Sequence, residues 1–133
     1  MIKIYSKYLL WFGIASSIAM LAYKIPAIYR AGSLLVELPF IAISLFIICS
    51  PYFFMLFRVS RLPDLTSLKI NFAIFTALIS LSGVALLFAL IYITPDAQNG
   101  IAIFILVILQ WLAIGISALI AYILNRGHHV KNA

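Results

Sequence analysis

The stretch INFAIFTALISLSGVALLFALIYI, residues 70–93, decides the fold of this 133-residue chain. It lies within a run of 26 uncharged residues between Lys69 and Asp96. A helix that crosses the hydrocarbon core of a bilayer needs about 20 apolar residues, and a charge at the bilayer centre is costly. The stretch therefore predicts a membrane-spanning helix.

Three further runs between charged residues have the same character. Residues 97–125 contain 29 uncharged positions, and residues 38–57 contain 20. The 16 positions of residues 8–23 are marginal, because they make about 24 Å of helix against a hydrocarbon core of about 30 Å. We predict one transmembrane domain over residues 1–133, with spans at about 6–24, 33–57, 70–93 and 101–124.

The first run has two interpretations. Lys3 and Lys7, followed by a short apolar stretch and the small residues 15–17, are typical of a secretory signal peptide that would be cleaved after about residue 17. The apolar stretch continues past these small residues, however, and Lys24 at its far end can extend to the opposite headgroup layer. We favour an uncleaved span, and the other three spans keep their orientation in either case.

Composition excludes the other broad classes of protein. Hydrophobic residues make up 66% of the chain and charged residues 9%, against about 45 to 50% and about 25% in soluble domains. The net charge of +6 comes from residues at the edges of apolar runs, which excludes a nucleic-acid-binding module. The predicted fold class is an all-α integral membrane four-helix bundle with short loops.

The distribution of basic residues predicts the orientation, because cytoplasmic loops carry an excess of Lys and Arg. With four spans, seven basic residues share one side and only Lys24 and Arg30 lie on the other. Both termini are therefore expected in the cytoplasm, and the small size favours a bacterial inner membrane. The seven are Lys3, Lys7, Arg58, Arg61, Lys69, Arg126 and Lys131.

The connection between the last two spans, residues 94–100, is short. Pro95 and the pair Asn99-Gly100 are typical of turns. A connection of this length predicts that the third and fourth spans are antiparallel neighbours.

Small residues in the fourth span predict how it packs, because membrane helices associate through small residues and occasional polar contacts. An unpaired amide in hydrocarbon costs several kcal/mol, so we expect Gln110 to hydrogen-bond to a neighbouring helix at Ser80 or Ser82. Packing within the bundle is the first interpretation of these small residues and Gln110, and contact with another protein is the second. The candidate helix-packing seam comprises Gln110, Ala113, Ser117 and Ala121.

Glu37 is the one acid inside or beside a predicted span. An ionisable residue in a membrane is a candidate ligand or proton site. Near a helix start, however, a carboxylate is also favoured by the helix dipole, and Lys24 or Arg30 can pair with it. Two prolines bracket the same span, and Pro51 is expected to bend it.

Two aromatic residues carry further expectations. Tyr and Trp favour the membrane interfaces, and Tyr52 is predicted near the inner boundary. Trp111 lies near the middle of the last span. We expect it to pack against another helix or to face lipid.

Catalysis has little support in the sequence. Three acids, two histidines near the C-terminus and one cysteine give no paired carboxylates, no nucleophile with an evident base and no phosphate loop. We predict no enzyme, no cofactor and no metal site. The leading hypothesis is a membrane protein that acts through helix contacts with a partner, as an accessory, assembly or immunity subunit. The alternative is a homo-oligomeric small transporter or channel that uses Glu37.

Overall fold

The computed structural model of the chain describes residues 1–32, 34–93 and 99–131, and these ranges contain helices and no strand. Four of the helices are long and apolar enough to cross a membrane, so the predicted all-α four-helix fold is confirmed. The helices are α1 (Ile2–Ala22), α2 (Ile25–Arg30), α3 (Leu34–Ser60), α4 (Thr66–Phe88), continued by a π-helical segment (Ala89–Ile93), and α5 (Asn99–Lys131).

The helices extend beyond several of the predicted span limits. The first begins at Ile2, the third long helix begins at Thr66, and the last continues to Lys131. Charges mark where the apolar depth of a span ends, but the backbone hydrogen bonds of a helix continue through the headgroup region, where charged side chains are tolerated. The helix is therefore longer than the apolar run that predicts it.

The predicted turn between the last two spans lies mostly outside the described residues, which omit 94–98. Asn99 and Gly100, the last two residues of the predicted turn, instead form the start of α5.

α1 and α4 run parallel to each other and share the most extensive contact in the bundle. At one end Lys3 Nζ donates to the Leu62 carbonyl oxygen at 2.8 Å. At the other end Tyr92 Oη donates to the Met20 carbonyl oxygen at 3.3 Å. The N-terminus and the loop between α3 and α4 therefore lie at the same end of the bundle.

The remaining long helices complete a ring. α1 packs against α3, α4 packs against α5, and α5 makes a lighter contact with α3. α4 and α5 are antiparallel neighbours, as their short connection predicts. α3 and α4 follow each other in sequence but contact each other little, so they lie diagonally across the bundle.

Buried apolar side chains form two clusters along the axis. The larger cluster lies toward the end that holds the N-terminus, and the smaller lies toward the opposite end. The larger comprises Leu10, Ile14, Cys49, Tyr52, Met55, Val59, Phe72, Ile79 and Ile114, and the smaller comprises Ile48, Leu87, Ile91, Leu106 and Val107.

Candidate functional site

Tyr52 lies at the centre of the bundle and is 1% exposed. Its ring extends from α3 between glycines of two other helices. A β-carbon at Gly13 would lie 2.6 Å from Tyr52 Cε1, and one at Gly83 would collide with Tyr52 Oη and with Gln110 Nε2. We call these four residues the Tyr52 junction. The two glycines allow an aromatic ring to fill the space between α1, α3 and α4.

Gln110 joins α5 to the same junction and is 4% exposed. Its Nε2 donates to Tyr52 Oη at 3.2 Å and to the Ile79 carbonyl oxygen at 3.4 Å. A hydrogen bond to a neighbouring helix was predicted, but its expected partners, Ser80 and Ser82, were wrong. Ser82 Oγ donates instead to a carbonyl of its own helix, as serines in apolar helices commonly do.

Tyr52, predicted near the inner boundary, is buried among the helices, and its depth relative to a membrane stays a prediction. The hydroxyl of Tyr52 finds hydrogen-bonding groups inside the bundle, at Gln110 and beside Ser17, so it does not need the interface. The signal that could have located it is the presence of Gly13 and Gly83 inside two spans. Such glycines leave room for a large side chain from a third helix.

Several buried polar atoms accompany the junction. Among the described residues, four side-chain oxygens are buried without a hydrogen-bond partner. An unpaired polar group in a membrane interior is costly, although a Ser or Thr hydroxyl can rotate toward a carbonyl of its own helix. The interior of the bundle therefore contains several polar groups besides the Tyr52–Gln110 pair. The four atoms are Ser6 Oγ, Thr76 Oγ1, Ser80 Oγ and Gln110 Oε1.

The predicted seam residues lie on the side of α5 that turns toward α4. Gln110 and Ser117 are buried, while Ala113 and Ala121 are partly buried. Asn71 Nδ2 donates to the Ser117 carbonyl oxygen at 3.1 Å and approaches Ser117 Oγ at 3.4 Å. The sequence reasoning missed Asn71, although it lies one helical turn inside α4, at the depth of Ser117 on the antiparallel α5. Contact of this seam with another protein stays a prediction.

A second polar link connects α3 with α5 nearer the surface. Pro51 has no N–H group, so the Ile47 carbonyl loses its helical partner. The Ser50 hydroxyl donates to the Ile47 carbonyl oxygen at 2.8 Å, and Trp111 Nε1 donates to Ser50 Oγ at 3.3 Å. Trp111 also contacts the Phe54 ring, with centroids 5.2 Å apart. It therefore packs against a helix, the first of its two predicted environments.

Among the described residues, the first half of α3 contains the longest stretch of a long helix without a buried residue. We call residues 35–46 the exposed segment, because none of them is buried. Residues 35–40 are all exposed, and six consecutive residues cover more than a full helical turn of 3.6 residues. No face of this stretch is therefore buried against the other long helices. Phe46, at its end, is 76% exposed.

Glu37 lies on the exposed segment, in the first turn of α3. Its side chain is exposed, so it does not enter the polar interior around Tyr52 and Gln110. The structure therefore separates the candidate ligand residue from the buried polar groups. A role for Glu37 in ligand or proton binding stays a prediction.

The end of the bundle that holds the N-terminus is basic. Asp64, in the loop after α3, is the one acidic residue described there and forms an ion pair with Lys69. The hydrogen bond from Lys69 and its positive charge hold the pKa of the Asp64 carboxyl below its usual value of 3.8. Arg61 lies over the Phe57 ring, 4.2 Å from its centroid. The other basic residues at this end are Lys3, Lys7, Arg58 and Arg126.

Within the described ranges, no group of three or more His, Cys, Asp or Glu side chains lies close enough together to hold a metal ion. Comparison with protein-family models, with curated proteins and with solved structures gave no match. The roles of residues are therefore assigned from the geometry of this chain alone.

Proposed function

We propose that this protein is a non-enzymatic membrane protein that acts through helix contacts with another membrane protein, as an accessory, assembly or immunity subunit. The observation that carries the proposal is the contrast between a filled interior and an uncovered helix. Tyr52 fills the centre of the bundle, whereas none of residues 35–46 of α3 is buried and residues 35–40 have no face packed against the other long helices. In this proposal the partner binds to the outer surface of the bundle, and no internal passage is used.

The surroundings of the exposed segment support this proposal. It contains large side chains, among them Phe40 and Phe46, both strongly exposed. Aromatic side chains are enriched at the centres of protein interfaces, because they bury much area with few rotatable bonds. Glu37 at one end of the segment adds a charged group that a partner helix can recognise. These features give a partner both contact area and a fixed register.

The proposed orientation follows from the basic end. Lys3 and the loop that contains Leu62 meet at one end of the bundle, and the basic residues cluster there. By the excess of Lys and Arg in cytoplasmic loops, we place this end and both termini in the cytoplasm. A bacterial inner membrane is the proposed location.

Site-specific photo-cross-linking tests the partner hypothesis. A photoreactive phenylalanine analogue at position 46 is expected to capture one protein of defined mass in native membranes. Matched controls carry the analogue at Phe12 on α1 and at Ile74 on α4, which are also exposed. The captured protein should also co-purify without cross-linking, and Phe40→Ala should weaken that co-purification. Equal capture at all three positions would contradict the proposal.

A homo-oligomeric transporter or channel is the second candidate, and the position of Glu37 is the observation that favours it. Because Glu37 is exposed on α3, a second copy that packs against this helix would bring two carboxylates to one interface. The test is cross-linking between copies at position 46 together with solute flux in liposomes. Self-cross-linking with flux that Glu37→Gln abolishes would replace the partner hypothesis.

A further inference from the structure

A cleft at the basic end separates the start of α1 from the start of α4. It has a volume of 480 Å³ and is lined by residues of both helix starts. Lys3 and Lys69 bring two ammonium groups and Thr66 a hydroxyl. The apolar wall is supplied by Met1, Ile2 and Ile4. We propose that this cleft binds the phosphate group of an anionic phospholipid.

The two lysines are held in place and still have donors to offer. Lys3 Nζ donates to the Leu62 carbonyl oxygen at 2.8 Å, and Lys69 pairs with Asp64. An ammonium group has three N–H donors, so each lysine keeps donors for a second acceptor after its protein contact is made. Both contacts tie the lysines to the same loop, and both residues line the cleft.

The depth of the cleft selects a lipid over other anions. Lys3 lies in the first turn of α1, and Lys69 lies near the start of α4. Both helices begin membrane-spanning segments, so the cleft lies at the level of the headgroup phosphates. Ile2 and Ile4 give it an apolar wall that continues toward the hydrocarbon, as the acyl chains of a bound phospholipid require.

The surrounding charge favours an anionic headgroup over a zwitterionic one. Asp64, which pairs with Lys69, is the one acid described at this end, and the basic residues there outnumber it. Each Lys or Arg near a membrane surface favours an anionic lipid by an amount that corresponds to about a fivefold change in affinity. Phosphatidylglycerol should therefore bind in preference to phosphatidylcholine with the same acyl chains.

Native mass spectrometry of the full chain in detergent, titrated with each of these two lipids, tests the site. Lys69→Gln is expected to lower phosphatidylglycerol affinity about fivefold and to lower phosphatidylcholine affinity less, because the choline cation offsets the charge of its phosphate. Asp64→Asn removes the competing carboxylate and should raise phosphatidylglycerol affinity, a gain that misfolding cannot produce. The matched control is Lys7→Gln, because Lys7 is exposed at the same end but does not line the cleft.

Three results would overturn the proposal. A loss in Lys7→Gln equal to that in Lys69→Gln would show diffuse attraction to the basic end instead of a site. Equal affinity for the two lipids would show that the site does not distinguish a negative headgroup from a zwitterionic one. Displacement of phosphatidylglycerol by inorganic phosphate would assign the cleft to a soluble anion. None of these results bears on the exposed segment of α3, so the lipid site and the proposed function fail independently.

Discussion

The two halves of α3 have similar sequences and opposite surroundings. Residues 35–46 and residues 48–59 are both strongly apolar, and each contains one proline, one serine and one charged residue. The second half contributes Ile48, Cys49, Tyr52, Met55 and Val59 to the buried clusters, whereas no residue of the first half is buried. Hydropathy therefore does not decide which half packs. The neighbouring helices contribute to this difference, because Gly13 and Gly83 open space beside Tyr52 in the second half.

The largest effect is expected where that space is closed. Gly83→Ala places a β-carbon against Tyr52 Oη and Gln110 Nε2 and should lower the free energy of unfolding by about 1 to 3 kcal/mol. Gly115→Ala on α5 is the control, since no atom lies within 4 Å of its added β-carbon. It should raise stability by about 0.5 kcal/mol, because alanine favours helix over glycine. Thermal unfolding in mild detergent measures both, and equal shifts would contradict the packed junction.

A smaller effect is expected from the hydrogen bond at the junction. Tyr52→Phe keeps the ring between the glycines but removes the acceptor of Gln110 Nε2. The loss should be about 1 kcal/mol, within the range measured for polar contacts between membrane helices. A double-mutant cycle with Gln110→Leu isolates the pair. If the two single changes add without coupling, the hydrogen bond does not stabilise the fold.

The first half of α3 should respond in the opposite way. Phe46→Ala removes a side chain that is not buried in the bundle, so the free energy of unfolding should change by no more than about 0.5 kcal/mol. Partner capture and co-purification should nevertheless decrease. A large loss of stability on this substitution would show that the segment packs within the chain, and the comparison of the two halves would fail.

The smallest effect is expected at the loop after α3. Because the pKa of Asp64 is lowered in the fold, its contribution to stability is present above the ordinary aspartate pKa of about 3.9 and is lost as pH falls through the lowered value. The contribution is slight, since Asp64 is fully exposed to solvent. Asp64→Asn should remove this small pH dependence of the unfolding midpoint. An unchanged acid profile in the variant would show that the ion pair with Lys69 does not contribute.

The sequence predicts the number and type of the long helices because charges in a bilayer are costly enough to mark their ends. It also predicts the antiparallel pairing of α4 and α5, because their connection is short. The ring order could not be predicted in this way, since lipid-facing and helix-facing surfaces are both apolar. Gln110 was recognised as a polar contact from its residue type. Its partners were not, because α5 packs against both α3 and α4, and sequence does not say which of their polar groups lies within reach of the amide.

The diagonal placement of α3 and α4 has a consequence for the order in which the protein is assembled. During synthesis α1 and α3 enter the bilayer before α4 has been translated, and the buried face of α1, with Ser6 and Gly13, has only one of its two eventual neighbours. The largest helix contact in the molecule, between α1 and α4, forms only after the ribosome has passed the loop at Asp64. The N-terminal hairpin, α1 with α3, therefore lacks its largest helix contact until the C-terminal hairpin has been synthesised.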